Sequence, residues 1–193
     1  AVSKAFSVVP TRISSVAFVS SNGGENVVAS NSLSSGVNQI IGIVAITADT
    51  TTNTNSSGAI LKAALTNLEF TIAGDATNDY SGIKITRIGG ADTGGEAANT
   101  ATFTNSASAN SYFVMSNLTG GDNLIEGGQT AYFKIEAVPV VGNGLSVQVS
   151  LPNLDSATAN AGIDYDSDAS GHAVSKLNIG QTTITGPSLS RPN

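Results

Sequence analysis

Cysteine and tryptophan are absent from this 193-residue chain, and histidine and methionine occur once each. Without cysteine there is no thiolate metal site, no thiol nucleophile and no disulfide framework. The lone histidine, His172, follows Gly171 and completes no nucleophilic triad, so it reads as a polar loop residue. Aromatic residues make up only 5% of the chain, so small aliphatic and β-branched side chains must fill the core. Charge is scarce too: charged residues are 11% of the total, against roughly 25% in an ordinary soluble domain. The eight Lys and Arg are scattered and the net charge is −6. That disfavours nucleic acid as a partner, because phosphate contacts need clustered positive charge. No apolar run approaches the roughly 18 residues of a membrane helix, so no membrane span is expected. The longest, Ile40–Ala48, contains Gly42 and Thr47 and reads as a buried strand. The first residue is Ala, as a processed secretory precursor or a trimmed chain would present.

What the chain has in abundance is alternation. Phe133, Ile135 and Ala137 alternate with Tyr132, Lys134 and Glu136; Leu145, Val147, Val149 and Leu151 alternate with Ser146, Gln148 and Ser150. Leu68, Phe70 and Ile72 do the same around Glu69 and Thr71. A period of two means strands with one buried and one wet face. Between these segments stand Gly, Asn, Asp, Ser and Thr, the residues of turns. The chain is therefore expected to be all-β, an Ig-like or jelly-roll sandwich of about ten strands. The expected core includes Phe70, Ile72, Ile83, Ile85, Phe133, Ile135, Val147 and Val149.

Along the chain, Ala1–Val9 reads as a strand with Val2, Phe6 and Val8 on one side, ended by Pro10. Arg12–Ser20 and Val37–Ala48 read as strands, with a turn at Ser21–Gly24 and a loop with a helical turn over Glu25–Gly36. Ala59–Leu65 and Thr66–Ala73 read as two short strands or one bent one. Ser81–Ile88 and Ser111–Ser116 are strands, flanking a long Gly/Ala/Thr loop with a short strand around Phe103. Thr130–Val138 and Leu145–Leu151 are expected to form a hairpin around Gly142–Gly144. Ala173–Ile179 and Gln181–Thr185 would close the fold. The domain reading is an N-terminal extension over residues 1–11 and one sandwich over 12–193.

Chemistry is thin. Asp164, Asp166 and Asp168 alternate on what reads as a tight loop before Gly171, a spacing that could aim several oxygens at one calcium ion. The loop lacks the Gly and the closing Glu of an EF-hand, and a solvated acidic turn is the competing reading. Gly89–Gly90 and Gly94–Gly95 lack the Lys-Ser/Thr of a phosphate loop. Glu69 and Glu136 sit on expected wet faces rather than as a catalytic pair. Asn55 and Asn117 each open an N-glycosylation acceptor sequence. Tyr80, Tyr112, Tyr132 and Tyr165 are the few aromatics that could stack on sugars, and Lys84 and Lys134 face outward, away from any buried acid. No cofactor beyond a calcium ion is expected, and no enzymatic activity.

Phe6–Pro10, Ile43–Ala48, Leu65–Ile72, Gly127–Ile135 and Leu145–Leu151 together resemble the β-sandwich repeat modules of bacterial cell-surface proteins, especially those of uncultured ultrasmall bacteria. In composition the chain is also similar to TasA-like and archaeal bundling-pilin-like fibre subunits. The resemblance implies an extracellular or cell-surface structural subunit that polymerises by donating a terminal strand to the next copy. Val2, Phe6 and Val8 would be the donated strand, with the segment around Ile184 and Leu189 as its rival, weakened by Gly186, Pro187 and Pro192. An adhesin or carbohydrate-binding module is the alternative of a different class, and a viral capsid or tail protein shares the same strand pattern.

Overall fold

A computed structural model describes residues 12–49, 62–74, 79–89, 99–100, 102–105, 111–116, 124–154, 163–166, 173–174 and 179–193. Among these residues there is no helix. The strands in chain order are β1 (Ile13–Val19), β2 (Ser21–Asn22), β3 (Glu25–Asn26), β4 (Gln39–Ala48), β5 (Lys62–Gly74), β6 (Asp79–Gly89), β7 (Asn99–Thr100) and β8 (Thr102–Asn105). They continue as β9 (Ser111–Ser116), β10 (Leu124–Glu126), β11 (Thr130–Val140), β12 (Ser146–Leu151), β13 (Ile163–Asp166), β14 (Ala173–Val174) and β15 (Ile184–Ser190). Ten of these have four residues or more, as the alternation predicts.

Two antiparallel sheets face each other. The first runs β1-β4-β11-β6-β7. The second is organised by β5, whose 13 residues serve several partners. β9 and β10 pair along one of its edges, and β12 and β13 along the other. β8 extends β9, β15 extends β12 and β14 extends β13. Of the two readings of this stretch, two short strands or one bent one, the described residues form the single strand β5, and its register against β13 slips between Asp164 and Tyr165.

All eight residues expected in the core are buried, none more than 5% exposed. Val44, Ile85, Phe133 and Ile135 from the first sheet meet Leu68, Phe70 and Leu151 from the second around a void of about 10 Å³. That lining is wholly apolar, so the void stays dry. β4 is buried on both faces, which explains its unbroken apolar run: Val44 and Ile46 enter the core, while Ile43, on the outer face, is also fully buried.

Three expectations change. β11 and β12 are consecutive but not a hairpin, because β4 and β6 already occupy both edges of β11. The chain instead crosses to the second sheet at Val141–Leu145, where β12 joins β5 and β15. The closing strand lies further on than Gln181–Thr185 and runs through Gly186 and Pro187. A register slip between Gln148 and Ser150 accommodates that stretch, and Gln148 Nε2 donates to the Gly186 carbonyl at 2.9 Å. Ile184 and Leu189 are thus buried in their own chain's core. Residues 25–36 contain no helical turn: β3 is followed by a loop whose Leu33 is 1% exposed, plugging the core.

The seam between the sheets on the β1 side is closed by one ring. Phe18 projects from β1 into a slot made by glycine on both sheets. A Cβ at Gly42 would lie 3.2 Å from Phe18 Cε1, and one at Gly186 would lie 3.1 Å from Phe18 Cδ1. The expected consequence is that Gly42→Ala destabilises the protein by ~1–3 kcal/mol, as overpacking does. In a Phe18→Ala background the same substitution should fall within ~0.5 kcal/mol of neutral. Denaturant melts of the four proteins check this, and an equal cost in both backgrounds would refute the slot.

Candidate functional site

Sheet edges are where this fold could act on another chain, because an edge presents unpaired backbone groups. β1 ends the first sheet and pairs only with β4; β15 ends one arm of the second and pairs only with β12. The two strands lie against one another across the Phe18 seam. Among the described residues no strand pairs with the outer edge of either.

The two edges differ in kind. β15 carries Pro187, which offers no N–H. Its end is fastened to the loop after β3, with Ser190 N donating to Ser30 O at 2.6 Å and Leu33 N to Ser190 O at 3.1 Å. β1, of sequence ISSVAFV, has no charged residue and no proline. Its one irregularity is a register slip between Ile13 and Ser15. The far edge of the first sheet is partly covered by β7, paired to Lys84 and Ile85.

The outer face of the first sheet carries a polar clamp. The β2–β3 hairpin folds back over this face, where Glu25 Oε1 accepts from Lys134 Nζ at 2.9 Å. Glu136 Oε2, two residues along β11, lies 3.7 Å from the same ammonium. Asn22, paired with Glu25 across the hairpin, packs against β6: its Nδ2 lies 2.7 Å from where a Cβ of Gly89 would be, so a side chain at Gly89 would push the Asn22 amide aside. The bonded Glu25 carboxylate raises the Lys134 pKa above the ordinary lysine value; partial burial opposes the rise and the Glu136 charge adds to it.

Inside the sandwich, Arg87 continues the inward series of Ile83 and Ile85 and is 4% exposed. Its Nη1 donates to Leu124 O on β10 at 2.6 Å and its Nε to Gly89 O at 3.3 Å, so the guanidinium ties the first sheet to the second. The position was legible as inward from the alternation; an arginine there was not expected.

The structure scatters the other sequence-predicted residues. Asp164 and Asp166 hold alternate positions on strand β13, where a tight loop was expected, and Asp168 lies outside the described residues. Among the described residues no cluster of His, Asp and Glu could hold a metal. Val2, Phe6, Val8, Asn55, Asn117 and His172 also lie outside the described residues. Glu69 occupies the face of β5 opposite Leu68 and Phe70, as expected, but that face is not wet: Glu69 is 7% exposed on a strand paired along both edges. Glu136 belongs to the other sheet, in the Lys134 clamp, and the two form no carboxylate pair. Tyr132 is half-buried against Gly89, not offered as a platform.

No family model matches the chain, and no curated protein matches it. Among solved structures, the chain is similar to the C-terminal domain of the antigen I/II-family protein AspA of Streptococcus pyogenes. The identity is 7% and the TM-score 0.40, over 96% of this chain and 47% of that one. It is similar to the C-terminal domain of the AgI/II polypeptide BspA of Streptococcus agalactiae at 8% identity and TM-score 0.37, over 95% of this chain and 50% of that one. AvmM, which catalyses macrocyclization in alchivemycin A biosynthesis, is similar at 8% identity and TM-score 0.36, over 91% of this chain and 95% of its own. The chain spans about half the length of the two streptococcal chains. An antigen-family domain and a macrocyclizing enzyme stand at the same level of similarity, so the likeness assigns no activity.

The clamp makes a pH prediction. Lys134 has a folded pKa above its unfolded one, so its stabilisation is complete below the ordinary lysine pKa and is lost as pH rises through the folded value. Glu25→Gln should lower stability by ~0.5–1 kcal/mol at neutral pH. That deficit should shrink toward zero in melts at strongly alkaline pH, and a deficit independent of pH would show that the clamp does not depend on the lysine charge.

Proposed function

We propose that this protein is a structural subunit of an extracellular filament, pilus or surface layer, and that its partners are copies of itself. In this reading each subunit donates its N-terminal segment, residues 1–9, to the β1 margin of the next. Val2, Phe6 and Val8 supply the apolar face of the donated strand. The strand adds its backbone hydrogen bonds to an existing sheet, by β-augmentation. A head-to-tail contact of this kind does not close on itself, so it builds a fibre. The chain performs no catalysis in this reading.

The observation that carries the proposal is the edge of β1, which no strand covers among the described residues. Proteins that remain monomeric commonly blunt such an edge with lysine, proline or a covering loop. β1 has neither of those residues, whereas β15 on the same margin has a proline and a tethered end. The composition points the same way: with 11% charged residues the surface offers little electrostatic resistance to self-association. Residue 12, where a donated arm would leave the body, directly precedes this edge, and its carbonyl accepts from Asp49 N at 2.7 Å. Among the described residues no helix is long and apolar enough to cross a membrane.

Electron microscopy of purified protein tests the reading. Wild type should form filaments, and deletion of residues 1–9 or Phe6→Asp should give folded protein that does not, since a charge would enter an apolar site unpaired. Ala17→Lys, at an exposed position of β1, should block assembly while shifting stability by no more than ~0.5 kcal/mol. Filaments of normal length from the truncated protein would overturn strand donation by the N-terminus.

A further inference from the structure

At one end of the sandwich three segments enclose an open recess of about 470 Å³. The loop before β4 contributes Leu33, Ser34 and Ser35, the β11–β12 crossing contributes Asn143, and the residues after β15 contribute Arg191 and Asn193. The recess is built rather than incidental. The Gln39 amide grips the backbone of Ser34 from both sides: Ser34 N donates to its Oε1 at 3.1 Å and its Nε2 donates to Ser34 O at 2.6 Å. Val141 N donates to Ser35 Oγ at 3.1 Å. Arg191 N donates to Leu145 O at 2.9 Å, and its carbonyl accepts from Gly144 N at 3.0 Å. Each wall is therefore fixed by hydrogen bonds that leave the groups facing the recess available.

The electrostatics of this recess are one-sided. Arg191 is half-buried, and among the described residues a single guanidinium nitrogen, Nη1, is engaged, donating to Val141 O at 2.6 Å. Among the same residues Lys62 and Lys134 form ion pairs with Glu25, Glu126 and Glu136, and no Asp or Glu side chain meets Arg191. The lining contains no Asp or Glu, in a chain where acids outnumber bases by fourteen to eight. A guanidinium held on one nitrogen keeps its remaining donors in fixed directions, the fork that matches a carboxylate. Around it stand hydroxyl and amide groups, Ser34, Asn143 and Asn193, that can both donate and accept. Pro192, exposed at the same wall, supplies the apolar element.

We propose that this recess binds a carboxylate-bearing saccharide, a uronic-acid-type sugar, with the carboxylate on Arg191 and ring hydroxyls on Ser34, Asn143 and Asn193. An open site with one charge pair and a few neutral hydrogen bonds predicts millimolar affinity for a single sugar residue. The site does not depend on strand donation.

Titration of ¹⁵N-labelled protein with D-glucuronate, with D-glucose and acetate as separate controls, tests the proposal. Saturable shifts confined to residues 33–35, 143 and 191–193 are expected with glucuronate alone. Asn143→Asp, which sets a negative charge beside the ligand carboxylate without touching the Val141 contact, should weaken binding at least about tenfold and leave the melting temperature unchanged. Arg191→Lys should weaken it similarly, since a point charge replaces the fork. No localised shifts with glucuronate, equal shifts with acetate, or full binding by Asn143→Asp would each overturn the assignment. So would shifts at these residues that follow protein concentration instead of added sugar, because a neighbour's side chain would then be the occupant.

Discussion

Strand β11 is constrained on four sides, and the rest of the sandwich is arranged around it. β4 and β6 take its two edges. Phe133 and Ile135 take its inner face into the shared core. Lys134 takes its outer face beneath the β2–β3 hairpin. A strand so enclosed cannot pair with the next strand of the chain, which must leave the sheet at Val141 and start again in the other layer. That forced crossing brings Asn143 beside the end of β15 and creates the recess. It also leaves β5 to organise the second sheet alone, which is why one long strand serves four partners there. Removing a partner from β11 would leave its edge donors and acceptors without their hydrogen bonds, a penalty of ~1–3 kcal/mol for each group that stays buried.

The alternation of Phe133, Ile135 and Ala137, and of Val147, Val149 and Leu151, was enough to place each strand and its buried face. Period two is a local property that the pleat enforces directly. Pairing is not local. Nothing in Leu145–Leu151 records that β11 is already flanked, so the short Gly142–Gly144 spacer read as a hairpin turn. Pro187 likewise read as a strand breaker, because the exemption for edge strands becomes visible only when the edge is known. The Lys134 clamp was hidden for a similar reason: Glu25 is an unremarkable polar residue until the hairpin carries it across 109 positions of sequence. Arg87 was readable as inward by its register with Ile83 and Ile85, yet its acceptor, Leu124 O, belongs to a different sheet.

Scarcity of charge shapes what remains on the surface. Few ionic groups are available, and several of them are spent inside the fold. Arg87 ties the sheets, Lys134 holds the hairpin, and Lys62 meets Glu126 at 3.0 Å beside β5. None of these three guards β1. Ser14, Ser15 and Ala17 are its exposed side chains, and none of them repels a second strand. An edge of this kind in a monomer invites pairing. In the proposed polymer it would be the acceptor, and the same absence of charge would become a requirement.

The start of β1 and the recess lie at opposite ends of β4. Arg12, where the N-terminal segment meets the body, is bonded to Asp49, just past the C-terminal end of β4. The recess is anchored by Gln39, the first residue of β4. Ten residues of extended chain separate them, roughly 30 Å at the rise of a strand. A sugar seated against Arg191 would therefore not crowd an arm leaving at Arg12. Phe18 lies between these two ends, near the Gly42 level of β4 and wedged against Gly186 of β15. Its ring joins the edge strand of one sheet to the strand whose last residues fix Arg191.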